Sequence, residues 1–300
     1  MKVLVTGAAG QLGYDVINEL AKRNYLVIGS DILNEADVLN KASWTKYIRL
    51  DITDNEQVNK VINDIKPDAI IHCAAWTNVD GAEDPNNKPL VKRINVDGTD
   101  NLVKAAKEIN AKFLYISTDY VFNGEGTRPW EPDDKNYQPK NYYGETKLLG
   151  ELAVSSQLEK FFIVRIAWVF GLNGKNFIKT MYNVGKNHDV VRVVNDQIGT
   201  PTYTIDLARL LVDMIGSNKY GYYHATNEGG YISWYDLTCE IYRQAGLTTK
   251  VIPVTSEEYG LSVAKRPNNS RLDKQKLLIN GFKPLPDWKD AVKRYLDLIK

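Results

Sequence analysis

The run Val3-Leu4-Val5-Thr6 passes directly into Gly7-x-x-Gly10-x-x-Gly13, and no other segment limits the fold of this chain so strongly. A short β-branched stretch followed at once by spaced glycines suits a buried strand that turns sharply into a helix, because glycine permits the tight turn and lets another backbone or a ligand come close. The amides at the start of that helix lie at the positive end of its dipole, which makes them a ready place for a pyrophosphate. The spacing differs from Gly-x-Gly-x-x-Gly, but the context, a first strand before and a helix from about Gln11 after, is the one a dinucleotide turn demands. Gly7, Gly10, Gln11, Leu12 and Gly13 are therefore candidate cofactor contacts.

The pattern downstream agrees. Strands are expected near 2–6, 25–30, 47–50, 69–73, 112–116 and 161–166, with helices near 11–23, 54–65, 88–109 and 142–156. Such alternation predicts parallel βαβ units and an α/β fold with a Rossmann-type doubly wound sheet, in which ligands bind beyond the carboxyl ends of the strands. The run Ala69-Ile70-Ile71-His72-Cys73 is almost wholly apolar, as a strand covered on both faces should be. Beyond about residue 170 the regularity declines, with helices expected near 175–187, 204–216, 233–246 and 287–299 and short strands near 190–194 and 221–224. We expect residues 1–170 to form the dinucleotide-binding domain with the catalytic residues and 171–300 to be mainly a smaller C-terminal substrate-binding lobe.

Bulk properties narrow the functions. A net charge of +1 over 300 residues gives no electrostatic reason to expect nucleic acid or a membrane surface as partner. No apolar run reaches a membrane span and no basic, then apolar leader precedes the first strand, so a cytoplasmic protein is expected. Cys73 and Cys239 are too few and too far apart for a disulfide framework, and His72, His188 and His224 are scattered, so no metal site is expected. A lone strand histidine such as His72 is expected simply to be packed.

Asp31 ends the second strand eighteen residues after Gly13, close to the offset at which an acid accepts from the adenine ribose hydroxyls. Its charge would repel a 2′-phosphate and no arginine follows directly, so of NADH and NADPH the former is favoured; a loop acid facing water is the alternative. Asp51 and Ile52 after the third strand and Ala74, Ala75 and Thr77 after the fourth are expected to flank adenine and ribose.

Tyr143 and Lys147 stand four apart, on one face of an expected helix. With 18 tyrosines and 27 lysines in the chain, about one or two such pairs arise by chance. There are two, and Tyr182/Lys186 is read as the incidental one. What sets Tyr143/Lys147 apart is Ser117-Thr118-Asp119-Tyr120 at the end of the fifth strand. Lys147 is expected to lower the Tyr143 phenol pKa and to reach the nicotinamide ribose, while the Thr118 hydroxyl orients a substrate oxygen and Tyr143 donates a proton.

Gly7-x-x-Gly10-x-x-Gly13, Ser117-Thr118-Asp119 and Tyr143-x-x-x-Lys147 resemble the extended short-chain dehydrogenase/reductases. Ala74-Ala75-Trp76-Thr77-Asn78-Val79-Asp80-x-x-Glu83, Asn195-Asp196-Gln197-x-Gly199-x-Pro201-Thr202 and Arg266-Pro267-x-Asn269-Ser270-x-Leu272 resemble, over nearly the whole chain, the members of that family that reduce 4-keto nucleotide sugars. Trp76 departs from the pattern, since many of these proteins carry histidine there. The resemblance implies NAD(P)H-dependent reduction of dTDP-4-dehydro-L-rhamnose, with Thr118, Tyr143 and Lys147 catalytic. It implies that Val79, Asp119, Tyr120 and Trp168 contact or flank the sugar, that Asn176, Gln197, Thr202, Arg266 and Ser270 line the sugar-nucleotide side, and that a homodimer forms. Trp168 as a core residue and Arg266 as a solvated base are the plainer alternatives. Dehydrating members need an acid pair after the strand-five threonine, and here Tyr120 follows Asp119. A nucleotide-sugar epimerase keeps the same Tyr/Lys pair and stays open, as does a non-catalytic protein like the regulatory subunit of methionine adenosyltransferase.

Overall fold

The computed structural model describes residues 1–300. Its strands are β1 (Lys2–Thr6), β2 (Leu26–Asp31), β3 (Lys46–Arg49), β4 (Ala69–His72), β5 (Lys112–Thr118), β6 (Phe161–Ile166), β7 (Val169–Phe170), β8 (Val190–Val194), β9 (Ile198–Gly199), β10 (Thr202–Tyr203), β11 (Gly221–His224), β12 (Ile232–Ser233) and β13 (Lys250–Val254). The helices are α1 (Gln11–Lys22), α2 (Asn55–Ile65), α3 (Lys88–Lys92), α4 (Gly98–Glu108), α5 (Tyr142–Gln157), α6 (Phe177–Asn187), α7 (Thr204–Ile215), α8 (Trp234–Ala245), α9 (Ser256–Tyr259), α10 (Gln275–Ile279) and α11 (Trp288–Ile299).

Seven strands form one sheet in the order β11-β6-β5-β4-β1-β2-β3, parallel at every pairing. Strand alternation divides its apolar side chains between two cores. Val3, Val5, Ile71, Leu114 and Val164 point toward α1 and α7, whereas Leu4, Ile70, Phe113, Tyr115 and Ile163 meet the helices on the other face. Both faces are covered, as a parallel sheet requires. The chain leaves β1 for β2 on one side and later crosses to β4 on the other, so the crevice between the ends of β1 and β4 is the switch point where such sheets bind ligands.

A third core, built on Phe170, Ile178, Tyr203, Ile241, Trp288 and Tyr295, underlies the C-terminal lobe. The region after residue 170 does not belong to that lobe alone. β11 completes the sheet beside β6, and Leu207 and Leu211 of α7 pack into the same core as Val16 and Leu20 of α1. No helix is long and apolar enough to cross a membrane.

The expected helix over 88–109 is broken into α3, a π-helical turn at Arg93–Asp97 and α4. The extra residue of the π turn is associated with buried Asn95, whose Oδ1 accepts from Trp76 N at 2.8 Å and whose Nδ2 donates to Thr146 Oγ1 at 3.0 Å. Periodicity also misses the paired two-residue strands and β13, whose partners lie far off in sequence.

Candidate active site

The turn after β1 is shaped by what surrounds it. Gly7 adopts φ +69°, and a Cβ there would stand 2.7 Å from Ala74 N; a Cβ on Gly13 would stand 2.1 Å from the Gly7 carbonyl oxygen. Only glycine fits either place. The N-cap Gly10 has no side chain to occupy the first amides of α1, and no acidic residue stands in its first turn. The turn is thus open and electropositive toward the cleft, which suits a pyrophosphate and fits a dinucleotide cofactor.

One cleft of about 760 Å³ runs from this turn to the second lobe. All the expected cofactor contacts, Gly7, Gly10, Gln11, Leu12, Gly13, Asp31, Asp51, Ile52, Ala74, Ala75 and Thr77, line it, as do Thr118, Tyr143 and Lys147. Asp31 accepts from Ala9 N at 3.1 Å and Leu33 N at 3.4 Å, so its carboxylate also braces the glycine turn. Asp51 accepts from the Thr53 amide and hydroxyl at 2.9 and 2.8 Å. Gln11 joins the two lobes, its Nε2 donating to Lys175 O at 3.3 Å. Trp76 is absent from the cleft wall; its backbone is held by Asn95, so this departure from the motif leaves the lining unchanged.

Helix α5 begins where it does for local reasons. Asn141 Oδ1 accepts from Gly144 N at 2.8 Å as N-cap, and Glu83 accepts from Tyr142 N at 2.7 Å. These bonds satisfy free amides of the first turn and fix Tyr143 and Lys147 facing the end of β5. Thr118 donates to Asp119 Oδ1 at 3.1 Å and accepts from Tyr120 N at 3.3 Å, and its hydroxyl is near enough to the Tyr143 phenol to lower its pKa slightly.

Electrostatics at the pair differ from expectation. The Tyr143 phenol pKa is raised, chiefly by burial and then by the charge of Asp119, against a smaller opposite effect of the Thr118 hydroxyl. Lys147 does not lower it. Burial brings the Lys147 ammonium itself down to about 7, partly offset by Glu151 and Cys73, and the amine lies 4.1 Å from the centroid of the Tyr115 ring. Desolvation thus outweighs the expected charge effect, and the phenol keeps its proton at neutral pH. Asp119 is 2% exposed with Oδ2 unbonded, and burial lifts its carboxyl to about 7 against the opposite effects of Ser270 and Thr118.

Val79, Asp119, Tyr120, Trp168 and Arg266 also line the cleft. Tyr120 meets Tyr143 edge-on, ring centroids 5.9 Å apart. Four expected sugar-side residues are not brought to the wall. Asn176 caps α6 and bonds Tyr295 Oη at 2.8 Å; Gln197 accepts from Trp234 Nε1 at 3.1 Å and donates to Ser256. Thr202 is fully buried with its hydroxyl on Ala167 O, and Ser270 is buried with its amide donating to Ile198 O at 2.8 Å. The side chains of Asn176, Gln197 and Thr202 are thus engaged within the protein and support the wall from behind. Sequence reasoning missed Cys73, Lys175, Phe177, Trp234 and Leu237, which do line the cleft; Cys73 stands directly before the expected contact Ala74, whereas no local motif marks the other four, because α6, the residues before it and α8 come to the cleft only through tertiary packing. The incidental pair behaves as such: Lys186 lies over the Tyr182 ring at 4.7 Å, away from the cleft. His72 is buried between Thr6 and Thr99, its imidazole pKa lowered to about 3 chiefly by burial.

A seven-stranded Rossmann-type sheet with Thr, Tyr and Lys beside the glycine turn defines an extended short-chain dehydrogenase/reductase. More narrowly, the chain belongs to the family described as RmlD substrate binding domain, whose model matches residues 1–300. It is 37% identical over 295 residues to the spore coat polysaccharide biosynthesis protein SpsK of Bacillus subtilis, covering 98% of this chain and 96% of that protein. Its fold resembles the crystal structure of a dTDP-4-dehydrorhamnose reductase from Clostridium acetobutylicum, at 42% identity and TM-score 0.90, with 100% and 99% of the two chains covered. The dTDP-4-dehydrorhamnose reductase of Bacillus anthracis in complex with NADP is similar at 38% identity and TM-score 0.89, with 99% of each chain covered.

Proposed function

We propose that this chain is a cytoplasmic NAD(P)H-dependent oxidoreductase that reduces the 4-keto group of dTDP-4-dehydro-L-rhamnose to give dTDP-L-rhamnose. The observation that carries the reading is the convergence of Thr118, Tyr143 and Lys147 on the cleft that the glycine turn also lines. Residues 171–300 are, in this reading, mainly the substrate lobe. The homodimer rests on the family resemblance, and light scattering tests it.

The nicotinamide, when bound, supplies the hydride. Tyr143, its phenol held protonated by burial, delivers a proton to the oxygen that becomes the hydroxyl. The Thr118 hydroxyl donates to the same oxygen as negative charge develops there. Lys147, one turn along α5 from Tyr143, would hold the nicotinamide ribose through its ammonium. Asp119 followed by Tyr120 provides one carboxyl and no second acid, which favours reduction over dehydration. Asp31 at the turn favours NADH over NADPH.

The test is NADH and NADPH consumption by the purified protein supplied with dTDP-4-dehydro-L-rhamnose. One cofactor oxidised and released per sugar reduced is the expected outcome. Interconversion of sugar epimers with tightly held NAD⁺ and no net consumption would replace the reductase with an epimerase.

A further inference from the structure

The Asp80–Arg266 pair joins segments 186 residues apart in sequence beside the cleft that Arg266 lines. Arg266 Nη1 donates to Asp80 Oδ1 at 3.2 Å and Nη2 to Oδ2 at 2.7 Å. The same Oδ1 also accepts from Ala264 N at 3.0 Å. Relying on the reading of this cleft as a sugar-nucleotide site, we propose that Asp80 is a positioning residue that fixes Arg266 at the cleft for the diphosphate of the substrate.

The bonding explains why a carboxylate is needed there. A two-pronged contact sets the rotation of the guanidinium plane as well as its place, and the added bond to Ala264 anchors the backbone that carries it. The approach to that backbone has little apolar support, since Leu261 and Val263 are 77% and 72% exposed. On the other side Asn141, the N-cap of the catalytic helix, donates from Nδ2 to Lys265 O at 2.9 Å. Arg266 also stands close enough to Tyr120 for its charge to act on that phenol, the ring that stands edge-on to Tyr143. Asp80 thus registers the arginine against the catalytic helix through contacts on both sides of the segment.

The pair leaves the arginine able to work. A guanidinium carries five N–H donors and can fork to an anion along its end or along its Nε side. Asp80 takes the end, and it is the sole carboxylate paired with Arg266. The Nε side can therefore meet a phosphate while the fork to Asp80 stays closed. The carboxylate repels that phosphate to some degree, so the arrangement gives up part of the raw attraction in exchange for a fixed direction. Its signature is an effect on substrate affinity and on little else.

The experiment compares Asp80→Ala, Asp80→Asn, Arg266→Ala and the double variant Asp80→Ala/Arg266→Ala in the full chain. It uses steady-state turnover and calorimetric titration with dTDP and with thymidine. Asp80→Ala should raise the sugar-nucleotide KM and the dTDP Kd about 10-fold, with kcat, the NADH KM and thymidine binding changed less than about 3-fold. Asp80→Asn, which keeps one acceptor oxygen and the side-chain shape, should lose less. The double variant should be no worse than Arg266→Ala alone, because two residues acting through one contact do not add. Unchanged dTDP affinity in Asp80→Ala, additive losses in the double variant, or thymidine and NADH affinities falling in step with dTDP would each overturn the proposal. A wild type that neither binds dTDP nor turns over overturns the functional reading and this one with it; a wild type that does both beside an unaffected Asp80→Ala overturns this one alone.

Discussion

Trp168 lies on Trp234 with ring centroids 3.8 Å apart and planes 18° from parallel, while its own backbone holds φ +51°. A tryptophan in the left-handed region costs on the order of 1–3 kcal/mol and persists only where its surroundings enforce it. Trp234 is one such enforcer, itself fixed by the bond from Nε1 to Gln197 and packed against Phe177 at 4.4 Å.

Removal of that support should free Trp168. Trp234→Ala is expected to destabilise the protein by about 2 kcal/mol, less than a fully buried tryptophan would cost, and to raise the KM for the sugar nucleotide more than it lowers kcat. Thermal unfolding and steady-state kinetics check this. A normal KM would mean that Trp168 is held by its other neighbours.

In the proposed reaction Tyr143→Phe removes the proton donor and leaves the ring in place. Turnover should fall by about 10²–10⁴ while NADH binding, followed by fluorescence, stays nearly intact. Tyr182→Phe should be almost silent, because Tyr182 lies outside the cleft. A comparable loss in both variants would put the wrong pair at the centre of the chemistry.

These two cases mark how far the sequence could be read. The nucleotide end and Tyr143/Lys147 were legible because each is a contiguous motif whose local turn or helix aims its groups: Gly7 and Gly13 have no substitute in their turn, and four residues make one helical turn. Trp234 was not legible, since nothing near it in sequence reports that α8 packs across to Trp168. Asn176, Gln197, Thr202 and Ser270 stand in motifs shared with the family, but a motif does not say whether a polar side chain faces the cleft or braces its wall; here buried backbone and side-chain partners claim the first three. The raised pKa of the Tyr143 phenol escapes the sequence for a related reason. Charge proximity can be read from spacing, whereas desolvation depends on what the fold closes over the site.

Asp31 tests cofactor choice against a purely local role. Its carboxylate holds the amides of Ala9 and Leu33, so Asp31→Ala loosens the turn in either case. If it also meets the ribose, the kcat/KM ratio of NADPH to NADH should rise in the variant, because the charge that repels a 2′-phosphate is gone. An equal loss with both cofactors would confine Asp31 to bracing the turn.

Asp119 makes the stability of the fold depend on pH. Burial lifts its carboxyl from 3.8 to about 7, so the folded chain binds a proton there that the unfolded chain has released between those values. Linkage then gives a stability contribution that is fully present below about 4 and lost as pH rises to about 7. Asp119→Asn removes that slope, and its melting temperature should gain on the wild type from pH 4 to 7, with the gap constant above. A melting gap that ignores pH between 4 and 7 would mean that the Asp119 carboxyl is solvated.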